Sequence, residues 1–167
     1  MVKYAIKLTI NGKDYQAQVD AHLRLVDLLR NQFHLLGTKE GCGKGECGSC
    51  TVLMDGKSVT SCLVLAVQAD GATIVTVEGL GGADALHPLQ KAFIHHGAVQ
   101  CGYCTPGMLM SAKYLLDNNP RPSREEIRAA IAGNICRCTG YTKIIDAIQA
   151  VAEGRGSDEG IHRQARR

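Results

Sequence analysis

The chain has 167 residues, a formal net charge of +3, and no tryptophan among aromatics that make up 4% of the residues. So slight a positive charge, with so few rings to stack on bases, carries no nucleic-acid signal. The longest purely apolar run, Leu63 to Val67, is far too short to cross a bilayer, so no membrane insertion is expected.

The N-terminal part reads as strands. Ile6, Leu8 and Ile10 alternate on one face of residues 3–10, Asn11-Gly12 makes a hairpin turn, and Tyr15, Ala17 and Val19 alternate on the return. Leu25, Leu28, Leu29 and Phe33 then recur at helical spacing, with Gly37 as the stop. Thr51 to Met54 and Lys57 to Ser61 flank Asp55-Gly56 as a second hairpin, and Ala72 to Val77 reads as a further strand. From Glu78 the composition changes, and Gly79, Gly81 and Gly82 suggest a flexible connection over 78–85. Everything after it predicts helix: His87 to His96 with Pro88 in its first turn, Thr105 to Asn118 with Thr105 as cap and Pro106 following, Ser123 to Ala132, and Thr142 to Glu153. Ser123-Arg-Glu-Glu126 is a capping box, and Gly133 and Gly154 are natural stops. His95 and His96 read as an exposed helix end. Residues 155–167 hold four arginines and few apolar residues, and are expected to form a disordered tail.

All eight cysteines fall into two sets: Cys42-x4-Cys47-x2-Cys50-x11-Cys62, and Cys101-x2-Cys104-x31-Cys136-x-Cys138. The first spacing is the plant-type run for a [2Fe–2S] cluster, and the second supplies another four thiolates. Such a cluster is anionic and gains a further negative charge on reduction, so its sulfurs need donors close by. Gly41, Gly43, Gly45 and Gly48 let the first loop wrap tightly and aim backbone N–H groups inward. Cys101 and Cys104 just precede the second predicted helix, and Cys136 and Cys138 lie in the turn leading to the fourth, so helix N-termini serve the second set.

Other readings fit less well. Residues 43–48 match G-x-G-x-x-G, but a dinucleotide loop should follow a buried strand and open a helix, and here the loop carries the expected ligands instead. A disulfide scaffold would be shorter and denser in cysteine. A zinc-stabilised interaction module would favour two Cys-x2-Cys knuckles per site, which these spacings do not give. Cys101-Gly-Tyr-Cys104 has no βαβ surroundings to make it a thioredoxin-type pair.

Gly41-Cys-Gly-Lys-Gly-Glu-Cys-Gly-Ser-Cys50, Gln100-Cys-Gly-Tyr-Cys-Thr-Pro-Gly-Met108 and Gly133-Asn-Ile-Cys-Arg-Cys-Thr-Gly-Tyr141 together resemble the small iron–sulfur subunit of molybdenum hydroxylases, the xanthine dehydrogenase and aldehyde oxidoreductase family. The resemblance covers residues 1–153. It implies an α+β chain: an N-terminal β-grasp plant-type ferredoxin domain over 1–77, a linker at 78–85, and a C-terminal four-helix-bundle [2Fe–2S] domain over 86–154. It implies an oxidoreductase subunit that is not catalytic alone, relaying single electrons between a molybdopterin site, often of cytosine dinucleotide form, and FAD. Molybdenum would sit on a large catalytic subunit and FAD on a medium subunit, in a dimer of heterotrimers; so many free thiolates lead one to expect the reducing cytoplasm. By the same carry-over, Gln100 approaches the pterin, Cys138 is the ligand in contact with it, and the N-terminal cluster faces the flavin. A free-standing electron carrier is the alternative.

Overall fold

The structure is a computed structural model and describes residues 2–82 and 85–155. It is a mixed α+β fold. Strand β1 (Lys3–Ile10) runs antiparallel to β2 (Lys13–Asp20), in register from Lys3 opposite Asp20 to Ile10 opposite Lys13. The turn between them needs two residues of positive φ, and Asn11 and Gly12 supply φ of 51° and 77°. Strands β3 (Thr51–Met54) and β4 (Lys57–Thr60) repeat the device at Asp55 and Gly56, with φ of 50° and 75°. The last strand, β5 (Thr73–Val75), lies parallel to β1 and antiparallel to β3, giving a five-stranded sheet in the order β2-β1-β5-β3-β4.

The segment expected to be one helix through Phe33 is a single α-turn, α1 (Leu25–Asp27), that continues as a π-turn over Leu28–Gln32. The wider winding shows in Phe33 N–H donating to Leu28 C=O at 3.2 Å. It leaves Leu25, Leu28 and Leu29 fully buried against Ile6, Leu8, Ile10, Val52 and Ile74 of the sheet.

Four helices follow: α2 (Pro88–His95), α3 (Thr105–Asn118), α4 (Arg124–Ile131) and α5 (Thr142–Ala152). They enclose a second core of Leu89, Phe93, Met108, Leu109, Ile127, Ile131, Ile144 and Ile148. The Ser123–Glu126 capping box forms as expected, with Glu126 N–H donating to Ser123 Oγ at 3.2 Å and Ser123 N–H to Glu126 Oε2 at 2.6 Å. His87 closes a second box that the sequence did not announce: its Nδ1 accepts from Leu89 N–H at 3.2 Å, and its own N–H donates to Gln90 Oε1 at 2.8 Å. The two cores meet where α3 lies on β3.

The connection between the halves begins as a tied segment. Asn11 Nδ2 donates to Thr76 Oγ1 at 2.9 Å, and Gly37 N–H donates to Glu78 Oε1 at 2.7 Å. Residues 83–84 of the expected linker, and the expected tail from residue 156 on, lie outside the described residues.

Candidate metal centres

The eight thiols are all free of disulfides and come together in pairs. Cys42 and Cys47 are side-chain neighbours, as are Cys50 and Cys62, and Cys104 and Cys136. Cys101 and Cys138 complete the set with their sulfurs 3.6 Å apart. Each pair faces the other pair of its own set: Cys62 feels the charge of Cys42, Cys104 that of Cys101, and Cys138 that of Cys136. Among the described residues no three His, Cys, Asp or Glu side chains gather tightly enough to hold one ion between them. Thiols grouped two and two suit a dinuclear iron–sulfur centre, which the four cysteines of each set would hold as thiolates. The donor set of each half therefore fits a [2Fe–2S] cluster.

The first loop is preorganised for negative charge on sulfur. Cys42 Sγ accepts from the N–H groups of Lys44, Glu46 and Cys47 at 3.4, 3.3 and 3.4 Å, and these donors, Lys44 first, bring its pKa down to about 6. Gly43, Gly45 and Gly48, all at positive φ, allow that wrap. The loop is clamped from outside by Arg24, whose guanidinium holds Asp27 at 2.7 Å and Glu40 at 2.6 Å, two residues before Cys42. Deeper in, burial pushes the Cys62 thiol up to about 11 and the Cys104 thiol up to about 12. Those two give up their protons readily only to a cation, which is what iron supplies.

Exposure divides the second set. Cys101, Cys138 and the neighbouring Gln100 are exposed, whereas Cys104 and Cys136 are buried at the helical core. The inward pair lies toward the first loop, because Ile135 N–H, next to Cys136, donates to Cys47 C=O at 2.9 Å. Three further contacts strap the loops together. Asn134 Nδ2 donates to Gly48 C=O at 2.9 Å, Ser111 Oγ donates to Asn134 Oδ1 at 2.7 Å, and Tyr103 Oη donates to Glu40 C=O. A Cβ at Gly48 would collide with Gly133 C=O and Asn134, and one at Gly107 with Gly48 C=O, so both glycines are there for close approach.

Sequence reading singled out the cysteines and Gln100, but Asn134, Ser111, Tyr103 and Arg24 emerge only here. The one available signal was the position of Asn134, a polar residue between the helix stop at Gly133 and the expected ligand Cys136.

Comparison with known proteins agrees with this geometry. Residues 8–80 match the family described as 2Fe-2S iron-sulfur cluster binding domain, and residues 76–149 match the [2Fe-2S] binding domain family. The nicotinate dehydrogenase small FeS subunit of Eubacterium barkeri is 51% identical over 153 residues, covering 92% of this chain and 98% of the relative. The chain belongs to the small [2Fe–2S] subunits of the molybdenum hydroxylase family. Its role is electron transfer, as the iron–sulfur component of a multi-subunit oxidoreductase, and neither the free carrier nor the zinc module is favoured. Among solved structures, quinoline 2-oxidoreductase from Pseudomonas putida 86 superposes on this iron–sulfur subunit with a TM-score of 0.88 at 52% identity, covering 92% of this chain and 96% of that one. The aldehyde oxidoreductase of Desulfovibrio desulfuricans gives a TM-score of 0.90 at 47% identity over 94% of this chain but 18% of its own, so there the same fold is part of a longer polypeptide.

Proposed function

We propose that Cys42, Cys47, Cys50 and Cys62 hold one [2Fe–2S] cluster in a β-grasp domain over 1–77, and that Cys101, Cys104, Cys136 and Cys138 hold a second in a four-helix domain over 86–154, with 78–85 as the connection. The two separate cores support that division. When bound, each cluster accepts and gives one electron at a time. The residues of the chain form a line: the exposed pair Cys101 and Cys138, the buried pair Cys104 and Cys136, the Ile135-to-Cys47 hydrogen bond, then the first loop. That hydrogen bond is the observation that carries the reading, because it joins the two ligand loops through backbone atoms alone.

The partners are those the family resemblance implies, and the exposed end of this line supports their placement. Gln100 and Cys138, both exposed, meet the molybdopterin of a large catalytic subunit, of cytosine dinucleotide form, and the N-terminal cluster faces FAD on a medium subunit, in a dimer of heterotrimers. Eight free thiols suit a reducing compartment, the cytoplasm. No helix among the described residues is long and apolar enough to cross a membrane.

Freeze-quenched EPR of the purified complex tests the order. With Cys104→Ser, the complex's own substrate should reduce molybdenum but not the N-terminal cluster or the flavin at the normal rate. With Cys47→Ser, it should still reduce the C-terminal cluster, and only the flavin should starve. Normal reduction of the N-terminal cluster in an assembled Cys104→Ser complex that lacks the C-terminal one would overturn the order.

A further inference from the structure

Thr139 directly follows Cys138 and supplies no ligand, yet its hydroxyl oxygen lies 3.1 Å from Cys136 Sγ. The geometry around it is closed. Tyr141 N–H donates to Thr139 Oγ1 at 3.2 Å, and Cys136 N–H donates to Tyr141 Oη at 2.8 Å. Tyr141 reaches this position at φ 67°, left-handed backbone that a residue with a side chain adopts only when its surroundings hold it there. It is held by that hydrogen bond and by heading α5, where Ile145 N–H donates to Tyr141 C=O at 3.0 Å.

The donor and acceptor inventory then leaves one arrangement. A hydroxyl has one proton and two lone pairs. The oxygen of Thr139 already accepts from Tyr141 N–H, and a cysteine bound to iron is a thiolate with no proton to give. The Thr139 proton therefore goes to Cys136 Sγ.

We propose that Thr139 is a positioning residue that sets the reduction potential of the C-terminal cluster, by donating an O–H···S hydrogen bond to Cys136 under the orientation imposed by Tyr141. The proposal rests on Cys136 being a cluster ligand. Reduction adds an electron to a centre that is already anionic, and a donor at sulfur stabilises the added charge, so the hydroxyl raises the potential and its removal lowers it. Cys136 is one of the inward thiols, beside the backbone link to Cys47, so the effect falls on the side from which an electron moves between the loops.

The test is an EPR-monitored redox titration of the purified native complex carrying Thr139→Val or Thr139→Ser. The C-terminal signal is identified as the one that persists in a Cys47→Ala chain. Valine keeps the shape and removes the hydroxyl, whereas serine keeps the hydroxyl. In T139V the reduction equilibrium of the C-terminal cluster should shift toward the oxidised form by about threefold to tenfold, tenfold being 59 mV for one electron. T139S should stay within about twofold of wild type, and the N-terminal signal should not move in either variant. An unchanged potential in T139V, or an equal shift in T139S, overturns the proposal. If T139V does not load, T139A is read in the same way. Loss of the cluster in both, with retention in T139S, would mean that the hydroxyl holds the loop and does not tune the cluster, which also overturns the proposal. Failure of the underlying ligand assignment is distinguishable, because wild type itself would then carry fewer irons than two clusters need.

Discussion

Asn134, only 3% exposed, ties the second cysteine loop to the first and to α3: Nδ2 donates to Gly48 C=O and Thr51 Oγ1 at 2.9 and 3.4 Å, and Oδ1 accepts from Ser111 Oγ at 2.7 Å. Truncation to alanine strands the buried Ser111 hydroxyl, while Gly48 C=O keeps the N–H and the hydroxyl of Thr51 as donors. Asn134→Ala should destabilise the loaded chain by on the order of 1–3 kcal/mol, seen as bleaching of the visible absorption at lower denaturant. Gly107→Ala works by steric conflict instead, since its Cβ would strike Gly48 C=O. The cost of overpacking is typically about 1–3 kcal/mol, and the double variant should fall short of additivity because both residues act on Gly48. A strictly additive double variant would show that the two do not share that contact. None of this was legible from the chain, because the Asn134 bond to Gly48 spans 86 residues and the one to Ser111 spans 23. The cysteines were legible because each set is mostly close in sequence.

The helices make a pH prediction through a cap. His87 accepts from Leu89 N–H through Nδ1, which only the neutral imidazole can do. Burial, with the nearby charge of Lys113, holds its pKa below the usual histidine range. A group whose folded pKa is depressed contributes stability above its unfolded pKa, and that contribution is lost as pH falls through the folded value. The α2 cap should therefore weaken only below the ordinary histidine range. His87→Asn, which caps without titrating, should remove that part of the acid sensitivity in thermal melts followed by circular dichroism. At α4, Ser123→Ala should cost about 1 kcal/mol, since its hydroxyl is the acceptor for Glu126 N–H. Element limits were largely readable for the same reason, as strands and helices end on local turn and cap chemistry. There are exceptions: the expected strand Ala72–Val77 is strand only over Thr73–Val75, Thr105 is the first residue of α3 and not its cap, and the stretch from Leu25 to Phe33 is wound differently. Its leucines have helical spacing, but contact with the sheet widens the winding to a π-turn.

For the whole molecule, two complete thiolate sets predict about four irons and four acid-labile sulfides per chain in protein from its native source, with no stoichiometric zinc. Metal and sulfide analysis checks this, and zinc without sulfide would contradict it. Burial of the Cys62 thiol beside Val26 and Cys50, and of the Cys104 thiol in the helical core, implies that removing iron leaves protonated sulfur in the interior. Chelation should thus be reversible only with iron and sulfide together, which reappearance of the visible spectrum reports.

The amino-acid sequence by itself determined what depends on neighbours along the chain: two positive-φ hairpin turns, the helix starts at Pro88, Thr105 and Thr142, and eight cysteines spaced for two iron–sulfur sites. The tertiary structure decided which thiols pair, which pair faces outward, and which backbone amide joins the two loops. Spacing can say that Cys42, Cys47 and Cys50 belong together, as do Cys101 with Cys104 and Cys136 with Cys138, because a short loop limits how far its sulfurs can separate. It is silent on Ile135 meeting Cys47, because that contact exists only where α3 settles on β3 and two independently packed cores are brought together.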